Sequence, residues 1–284
     1  MIAITGASGK LGQLVIKELL QVVPAAHIIA AVRNPEKHDA LHSLGVQVRE
    51  ADYDRPETLE QAFQGVEKLL LISAVQPGER FRQHKAVIDA ARHADVKLIA
   101  YTSLLRADTS RLILADEHKR TEAYLKRSGI DFVLLRNGWY LENHTDALPA
   151  ALAHGTINGS AGQGRFASAS RADYAGAAVA VLTQPGHAHK TYELAGDHAY
   201  SMAELVEEVS KQVSRQIAYN DLPSSDYASA LHGFGLPQMI VDVVIDADVK
   251  SAQGELDSAS RDLSRLLGRN TTSLAEAIKA ALQT

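Results

Sequence analysis

Short apolar runs and longer segments of helical periodicity alternate along the first half of the chain. Ile2–Ile4 and Ile28–Val32 have the composition of strands, and Lys68–Ile72 is apolar along most of its length, as a strand buried on both faces should be. Between the first two runs, apolar residues recur from Leu11 to Val22 at the spacing of one helix face. The pattern predicts strands at 2–4, 28–32, 46–48, 68–72, 96–101 and 132–135, and helices at 11–22, 35–44, 56–63, 82–93 and 116–128.

This alternation predicts an α/β fold, a doubly wound parallel sheet of the Rossmann type with helices on both faces. The second half is less regular, with a strand predicted at 191–194 and helices predicted at 201–212, 223–235 and 236–248. We therefore expect a first domain over 1–145. A smaller, mostly helical substrate lobe is expected over 146–284, packed on the first domain and contributing partly to it.

Composition and charge narrow the function classes. Hydrophobic residues make up 46% of the 284 residues, and the formal net charge is −5 with no long basic run, which argues against nucleic-acid binding. Cysteine is absent, which excludes disulfides and thiolate chemistry. No apolar run approaches the ~20 residues of a membrane helix, and the first residues already read as a strand rather than a signal peptide. We expect a cytoplasmic protein with no membrane segment.

Three glycines follow the first strand directly, in the stretch TGASGKLG at 5–12. Gly6 would permit a tight turn, Gly9 would let the backbone approach a phosphate, and Gly12 would let the following helix pack close to the strand. A P-loop is excluded because Leu11 stands where Ser or Thr is needed. Small-residue turns between strand and helix are common, but the position between a strand and an amphipathic helix favours a dinucleotide site.

The ends of the second and third strands suggest which nucleotide binds. Arg33 follows the second strand, where an acidic residue would accept from the ribose 2′-hydroxyl of NAD; its planar cation suits the 2′-phosphate of NADP. A solvated surface arginine is the alternative. Asp52, at the end of the third strand, could bond the adenine amino group or cap the next turn.

Several motifs together resemble the NmrA-like branch of the atypical short-chain dehydrogenases, along essentially the whole chain. They are TGASGKLG, AVRNPEK at 31–37, ADYD at 51–54, YTSLLRADTS at 101–110 and LLRNGWYLEN at 134–143. Within that branch, the combination of YTSLL, LADEH and LLRNGWY is most similar to the bacterial NAD(P)H:quinone oxidoreductases of type 2, with the triphenylmethane reductases as close relatives.

The resemblance implies a monomeric or homodimeric enzyme that binds NADPH across the ends of the strands. It also implies the positions of the cofactor pocket, with a main-chain rather than a side-chain role for the alanine at position 74. Those positions are Gly6, Ala7, Ser8, Gly9, Lys10, Leu11, Arg33, Ser73, Ala74, Val75, Asn137, Gly138, Trp139, Tyr140, Leu141 and Glu142.

Typical short-chain dehydrogenases use a Tyr-x-x-x-Lys pair, in which the tyrosine donates a proton to a carbonyl. None of the nine tyrosines here has a lysine four residues later. Near the expected place, His118 and Glu122 share one helix face. His118 is the candidate catalytic residue, as a proton donor. The alternative, equally weighted, is that His118 only packs beside the nicotinamide or caps a loop.

A planar acceptor suits the aromatic residues after the sixth strand. Trp139 and Tyr140 could stack on it and Asn143 could bond its oxygen, although Trp139 could instead anchor the core between the lobes. Tyr101, Ser103 and Phe166 are weaker substrate candidates. The His187-x-His189 pair lacks a carboxylate partner at ligand spacing, so we predict no metal site.

These observations predict an NADPH-dependent oxidoreductase that transfers hydride directly to quinones or dye-like planar acceptors, without flavin or metal. A quinone accepts hydride readily, so loss of the Tyr–Lys pair suits it better than an alcohol or ketone. The alternative is an NADP(H)-binding redox sensor that reports to a partner protein without turnover. A nucleotide-sugar epimerase is disfavoured because it needs the missing pair.

Overall fold

The strands of the computed structural model, which describes residues 1–283, form one large sheet and two small ones. In chain order they are β1 (Ile2–Ile4), β2 (Ile28–Val32), β3 (Gln47–Glu50), β4 (Lys68–Leu71), β5 (Leu98–Leu104), β6 (Asp131–Asn137), β7 (Thr156–Gly159), β8 (Arg165–Phe166), β9 (Lys190–Leu194), β10 (Tyr200–Ser201) and β11 (Ala218–Asp221).

The large sheet has the order β3-β2-β1-β4-β5-β6-β9. Its pairings from β3 to β6 are parallel, with Ile4 of β1 in register with Ala30 of β2 and Leu70 of β4. On one side of β1 the order continues through β2 to β3, and on the other side it continues through β4, β5 and β6 to β9. The prediction of a doubly wound parallel sheet is therefore confirmed, and the strand order reverses between β1 and β4, where such sheets bind ligands at the carboxyl ends of the strands.

The helices connect these strands and build the rest of the chain. In chain order they are α1 (Lys10–Leu19), α2 (Asp39–His42), α3 (Pro56–Ala62), α4 (Arg80–His93), α5 (Ala115–Arg127), α6 (Glu142–Thr145), α7 (Leu148–His154), α8 (Arg171–Thr183), α9 (Met202–Val213), α10 (Ser224–Gly233), α11 (Gln238–Ser251), α12 (Asp262–Leu267) and α13 (Leu274–Ala281).

Most predicted elements lie close to where the pattern put them, although the helix predicted at 11–22 ends at Leu19 and the strand predicted at 132–135 extends to Asn137. The predicted helix at 35–44 is a 3₁₀ turn, Pro35–Lys37, followed by the short α2, because His38 leaves helical geometry at φ −127°. The predicted strand at 96–101 runs instead from Leu98 to Leu104. The predicted start of α9 is confirmed: Ser201 accepts from the Glu204 N–H at 3.2 Å and Glu204 accepts from the Ser201 N–H at 2.6 Å, which forms a capping box.

The chain divides into two compact units. The sheet unit comprises Met1–Asp108, Asp116–Asn137 and Arg171–Glu193, so α8 and most of β9 belong to it although they lie inside the predicted second lobe. Its core packs apolar side chains of the strands, such as Ile29 and Leu69, against the helices.

The second unit comprises Thr109–Ala115, Gly138–Ser170 and the chain from Leu194 onward. It contains the antiparallel pair β8–β10 and the parallel pair β7–β11. Across residues 1–283, no helix is both long enough and apolar enough to cross a membrane.

Candidate functional site

The glycine turn after β1 is built from backbone that other residues would distort. Gly6 has a φ of +59°, a conformation that L side chains rarely adopt, and the Gly9 N–H donates to the Gly6 carbonyl at 3.0 Å. Thr5 ties the turn to β4, because its N–H donates to the Leu70 carbonyl at 3.0 Å and its hydroxyl accepts from the Ile72 N–H at 3.1 Å. The turn therefore lies at the carboxyl ends of β1 and β4.

Gly12 has no room for a side chain. A Cβ there would stand 2.4 Å from the Gly6 carbonyl oxygen and 2.7 Å from the Ala7 Cα. The first turn of α1 therefore packs directly against the glycine turn.

The start of α1 is arranged to favour an anion. Gly9 occupies the N-cap position without a side-chain cap, and the first turn holds no acidic residue. Gln13 steadies the turn from within, because its side-chain amide donates to the Ser8 carbonyl at 2.7 Å. Gly6, Gly9 and Lys10 are exposed, so a phosphate could reach this end of the helix and its positive dipole.

Arg33 is exposed at the carboxyl end of β2, next to the glycine turn in the sheet order. Its charge helps to lower the pKa of Asp54, which hydrogen bonds from Arg82 and Gln83 lower more strongly. Asp52 is used locally, because its Oδ1 accepts from the Asp54 N–H at 3.0 Å and its Oδ2 from Arg55 at 3.5 Å. Of the two roles considered for Asp52, the structure displays the turn cap.

The residues that follow β4 differ from one another in their hydrogen bonds and in their exposure. The Ser73 N–H donates to the Thr102 hydroxyl at 2.8 Å. The Ala74 N–H donates to His84 Nε2 at 2.9 Å and its carbonyl accepts from Arg80 Nε at 2.7 Å. Val75 is 86% exposed. Both main-chain polar groups of Ala74 therefore already have partners in this chain.

His118 is buried between α5 and β5, where Tyr101 and Ser103 point to one face of the strand. The Tyr101 hydroxyl and His118 Nδ1 are 2.7 Å apart. Burial, together with the charge of Arg80 and the ring of His84, holds the pKa of His118 well below its usual value. The imidazole is therefore neutral at pH 7, and a neutral imidazole is a weak acid.

Glu122, one turn further along α5, is buried in an ion-pair network. Its carboxylate accepts from Ser103 Oγ at 2.6 Å and, in bidentate fashion, from Arg136 at 2.9 and 2.8 Å. Arg136 also reaches Glu193 at 2.7 Å and Asp108 at 3.0 Å. Burial alone would lower the pKa of Arg136, but the hydrogen bonds to Glu122 and Glu193 outweigh it and raise that pKa.

Asn137, the last residue of β6, follows Arg136 directly. Its carbonyl accepts from the Leu105 N–H at 2.9 Å. Its side chain is buried, and Oδ1 finds no hydrogen-bond partner anywhere between residues 1 and 283. A buried acceptor without a partner is costly, and such atoms in native proteins call for a specific explanation.

The predicted residues after Asn137 belong to the second unit. The Gly138 N–H donates to the Leu194 carbonyl at 2.8 Å, and Tyr140 pairs with Ala169 in an isolated parallel bridge. Trp139 and Tyr140 are half-buried, Leu141 is buried, Glu142 opens α6 and Asn143 is exposed. These residues form one strand-like segment that leads into α6.

The weaker candidates lie in the interior. Tyr101 and Phe166 have no exposed surface and Ser103 only 5%, so none of them presents a face to a substrate. His187 contacts the Tyr192 hydroxyl at 2.7 Å, whereas His189 contacts Asp131 at 2.8 Å. The two histidines therefore have separate partners.

Sequence reasoning missed the residues that support the site from a distance. Arg80 and His84 of α4, and Glu193 of β9, bond groups 6 to 57 positions away in the chain. No local motif marks them.

A family model and a known protein both match more than half of this chain. A family model described as NAD(P)H-binding matches residues 6–185. Quinone oxidoreductase 2 of Escherichia coli (strain K12) is 53% identical over 278 residues, which cover 98% of this chain and 97% of that protein.

Two solved structures agree with this chain in sequence and in fold. The NADPH-dependent quinone oxidoreductase from Escherichia coli, crystallised with NADPH, superposes with a TM-score of 0.96 at 52% identity, covering 99% of this chain and 100% of that one. The Citrobacter sp. triphenylmethane reductase complexed with NADP(H) gives a TM-score of 0.95 at 38% identity, covering 99% and 100%.

Proposed function

The chain belongs to the NAD(P)H-binding, NmrA-like family, and from that membership and the geometry above we infer that it is an NADPH-dependent quinone oxidoreductase. The observation that carries the inference is the 53% identity to a quinone oxidoreductase along nearly the whole of both chains. Conservation of the fold alone would allow many activities, whereas this identity extends along 98% of the chain.

The residues of the sheet unit fit the cofactor. Gly12 has no space for a Cβ, and Gly9 leaves the start of α1 without a side-chain cap, so main-chain N–H groups are accessible to a pyrophosphate. Arg33 is exposed beside the turn and would bind the 2′-phosphate. Asn137 offers a buried oxygen that the described chain leaves unpartnered. We propose that these residues, with Ser73, Ala74, Val75 and the segment Gly138–Glu142, hold NADPH.

The bound nicotinamide would supply a hydride, and the residues of this chain would hold the cofactor and the acceptor in position. Glu122 is committed to Arg136 and Ser103, and His118 is neutral and buried, so neither of these two residues offers a strong acid to the substrate. Such a site suits an acceptor whose reduced oxygens need no strong acid, which describes a quinone. Trp139 and Tyr140 are proposed to stack on its ring, and Asn143 to bond its oxygen.

The catalytic proposal for His118 has its own test. A donor role predicts that His118→Ala lowers kcat while the Kd for NADPH stays unchanged. Full kcat in this variant would leave His118 with the packing role that its contact with Tyr101 supports.

Three finer points are part of the same proposal. Dye-like acceptors are proposed as further substrates because a triphenylmethane reductase is 38% identical to this chain. A homodimer and a cytoplasmic location are carried over from the sequence analysis. Mass in solution, cell fractionation and assays with triphenylmethane dyes test them one by one.

The experiment that tests the main proposal is steady-state oxidation of NADPH by the purified protein, with and without a simple benzoquinone and with NADH in parallel. We expect oxidation that depends on the quinone and proceeds faster with NADPH. Tight NADPH binding with no oxidation by quinones or dyes would contradict the proposal and favour the redox sensor.

A further inference from the structure

The segment that joins β4 to α4, residues 72–79, is held by side chains from two helices. It follows the carboxyl end of β4 and contains Ser73, Ala74 and Val75, which are proposed to contact NADPH. At its start, the Ile72 N–H donates to the Thr5 hydroxyl and the Ser73 N–H donates to the Thr102 hydroxyl. What fixes the remainder is a polar network centred on Arg80, His84 and Glu117.

Both main-chain polar groups of Ala74 form hydrogen bonds with side chains of α4. Its N–H donates to His84 Nε2 at 2.9 Å, and its carbonyl accepts from Arg80 Nε at 2.7 Å. His84 Nδ1 lies 3.1 Å from the Thr121 hydroxyl, which itself donates to the Glu117 carbonyl at 2.8 Å. Because Nε2 accepts, a neutral His84 carries its proton on Nδ1 and donates it to Thr121.

This acceptor role is stable over the physiological pH range. His84 has no exposed surface, and burial, aided by the charge of Arg80, lowers its pKa to about 3. The ring also packs edge-on against Tyr101, with 5.2 Å between centroids. His84 therefore offers a fixed lone pair rather than a titrating group.

The far end of the segment is held by the Glu117 carboxylate. It accepts from the Gly78 N–H at 3.1 Å, from the Phe81 N–H at 3.3 Å and from Arg80 at 3.3 Å. The side chains of Arg80 and Glu117 are 6% and 13% exposed. A charge pair buried this deeply costs desolvation energy, and apolar residues of the same size would often serve stability as well.

We propose that Arg80, His84 and Glu117 are positioning residues that hold the β4–α4 segment in its cofactor-binding conformation. The inference rests on the proposed function, because that function makes the segment part of the NADPH site. The network pre-orders the segment before the cofactor arrives, so that ordering costs no binding free energy.

The test compares three variants of the full-length protein. His84→Leu removes the acceptor for the Ala74 N–H, whereas His84→Gln keeps an acceptor oxygen in a similar place. Val87→Ala, a buried change in the same helix α4 without polar contact to the segment, is the matched control for lost stability. If His84→Leu does not fold, Thr121→Val replaces it, because that change removes only the hydroxyl that orients His84.

Two readouts are needed. The first is amide hydrogen exchange of the Ala74 N–H in protein free of NADPH, and the second is the Kd for NADPH from direct titration. We expect the Ala74 amide to be protected in the wild type and in His84→Gln but to exchange rapidly in His84→Leu. The Kd should rise about tenfold in His84→Leu, as loss of one hydrogen bond implies, and stay within about threefold in His84→Gln and Val87→Ala.

Rapid exchange of the Ala74 amide in the wild type, or an equal rise in Kd for His84→Leu and Val87→Ala, would overturn the proposal. Failure of the proposed function would look different. In that case the wild type would either fail to bind NADPH or bind it without oxidation by quinones, while the protection pattern of the Ala74 amide would still report on the network.

Discussion

At the scale of single residues, the account depends first on Gly12. A methyl group there would collide with the Gly6 carbonyl and the Ala7 backbone, which are parts of the turn and not the ends of flexible side chains. Gly12→Ala should therefore lower the free energy of unfolding by about 1–3 kcal/mol and weaken NADPH binding. Urea unfolding and direct titration with NADPH check both effects.

Gly233 provides the matched control for this glycine. It ends α10, its φ is not positive, and a Cβ there would meet no heavy atom within 4 Å. Gly233→Ala should be neutral or stabilising, by up to ~1 kcal/mol, because it only restricts the unfolded chain. Equal losses in the free energy of unfolding of both variants would contradict the claim that Gly12 has no room for a side chain.

Arg33 is proposed to decide which nicotinamide cofactor is preferred. Its exposed guanidinium can bind a 2′-phosphate, and a carboxylate in its place would repel that group and accept from a 2′-hydroxyl. Arg33→Asp should reverse the ratio of kcat/KM for NADPH to that for NADH. Arg92→Asp, a change of an exposed arginine near the end of α4, should leave the ratio unaltered. An unchanged ratio in Arg33→Asp would remove Arg33 from the proposed 2′-phosphate site.

The sequence predicts those site features whose parts are neighbours in the chain. The glycine turn needs only eight consecutive residues, and its conformation follows from steric limits on each of them. The partner of Ala74, by contrast, is His84, which is ten residues away on another element. Such a contact depends on the angle between β4 and α4, which no local pattern encodes.

At the scale of elements, the buried pair Glu122–Arg136 links α5 to β6. Arg136→Leu would leave the carboxylates of Glu122 and Glu193 without their main buried counter-charge. We expect a loss of about 3–5 kcal/mol in the free energy of unfolding. Arg92→Leu, which breaks only an exposed pair with Asp89, should cost at most about 1 kcal/mol. Urea unfolding separates the two, and similar losses would contradict the assigned role of Arg136.

Most elements of the sheet unit were predictable because each carries its own periodicity. Helix α8 was signalled only at its start, where Ser170–Asp173 is a stretch typical of a helix N-terminus. Its remaining residues, such as Ala177 and Val181, are buried on several faces, so the helix lacks the polar stripe that marks an amphipathic segment. Because α8 lacks this stripe and is far from α1 in sequence, its position beside the sheet could not be predicted either.

At the scale of the whole molecule, stability should depend on pH through groups buried in unusual states. His84 and His118 stay neutral when folded but bind protons below about pH 6.5 when unfolded, so folding becomes less favourable as pH falls. Asp248 acts in the opposite sense, since burial raises its pKa to about 6 and the folded state keeps a proton there.

At pH 5 the unfolded chain should thus bind about one more proton than the folded chain through these three groups, a loss near 1.4 kcal/mol per pH unit. His144, whose pKa burial lowers to about 4, adds about one further proton to the measured slope, so Asp248→Asn should steepen it by roughly half because the opposing group is removed. Urea unfolding between pH 5 and 7 measures both slopes. A slope that does not change in Asp248→Asn would contradict the assignment of its protonation.

The central claim is that this chain passes hydride directly from NADPH to a quinone. The most direct measurement is a single turnover of the purified protein with NADPH deuterated at the transferred position, mixed with benzoquinone after absorbance has shown that no flavin is present. We predict one hydroquinone for each NADPH and a slower reaction with deuterium on one face of the nicotinamide only. No turnover, or turnover that begins only when a flavin is added, would contradict the account.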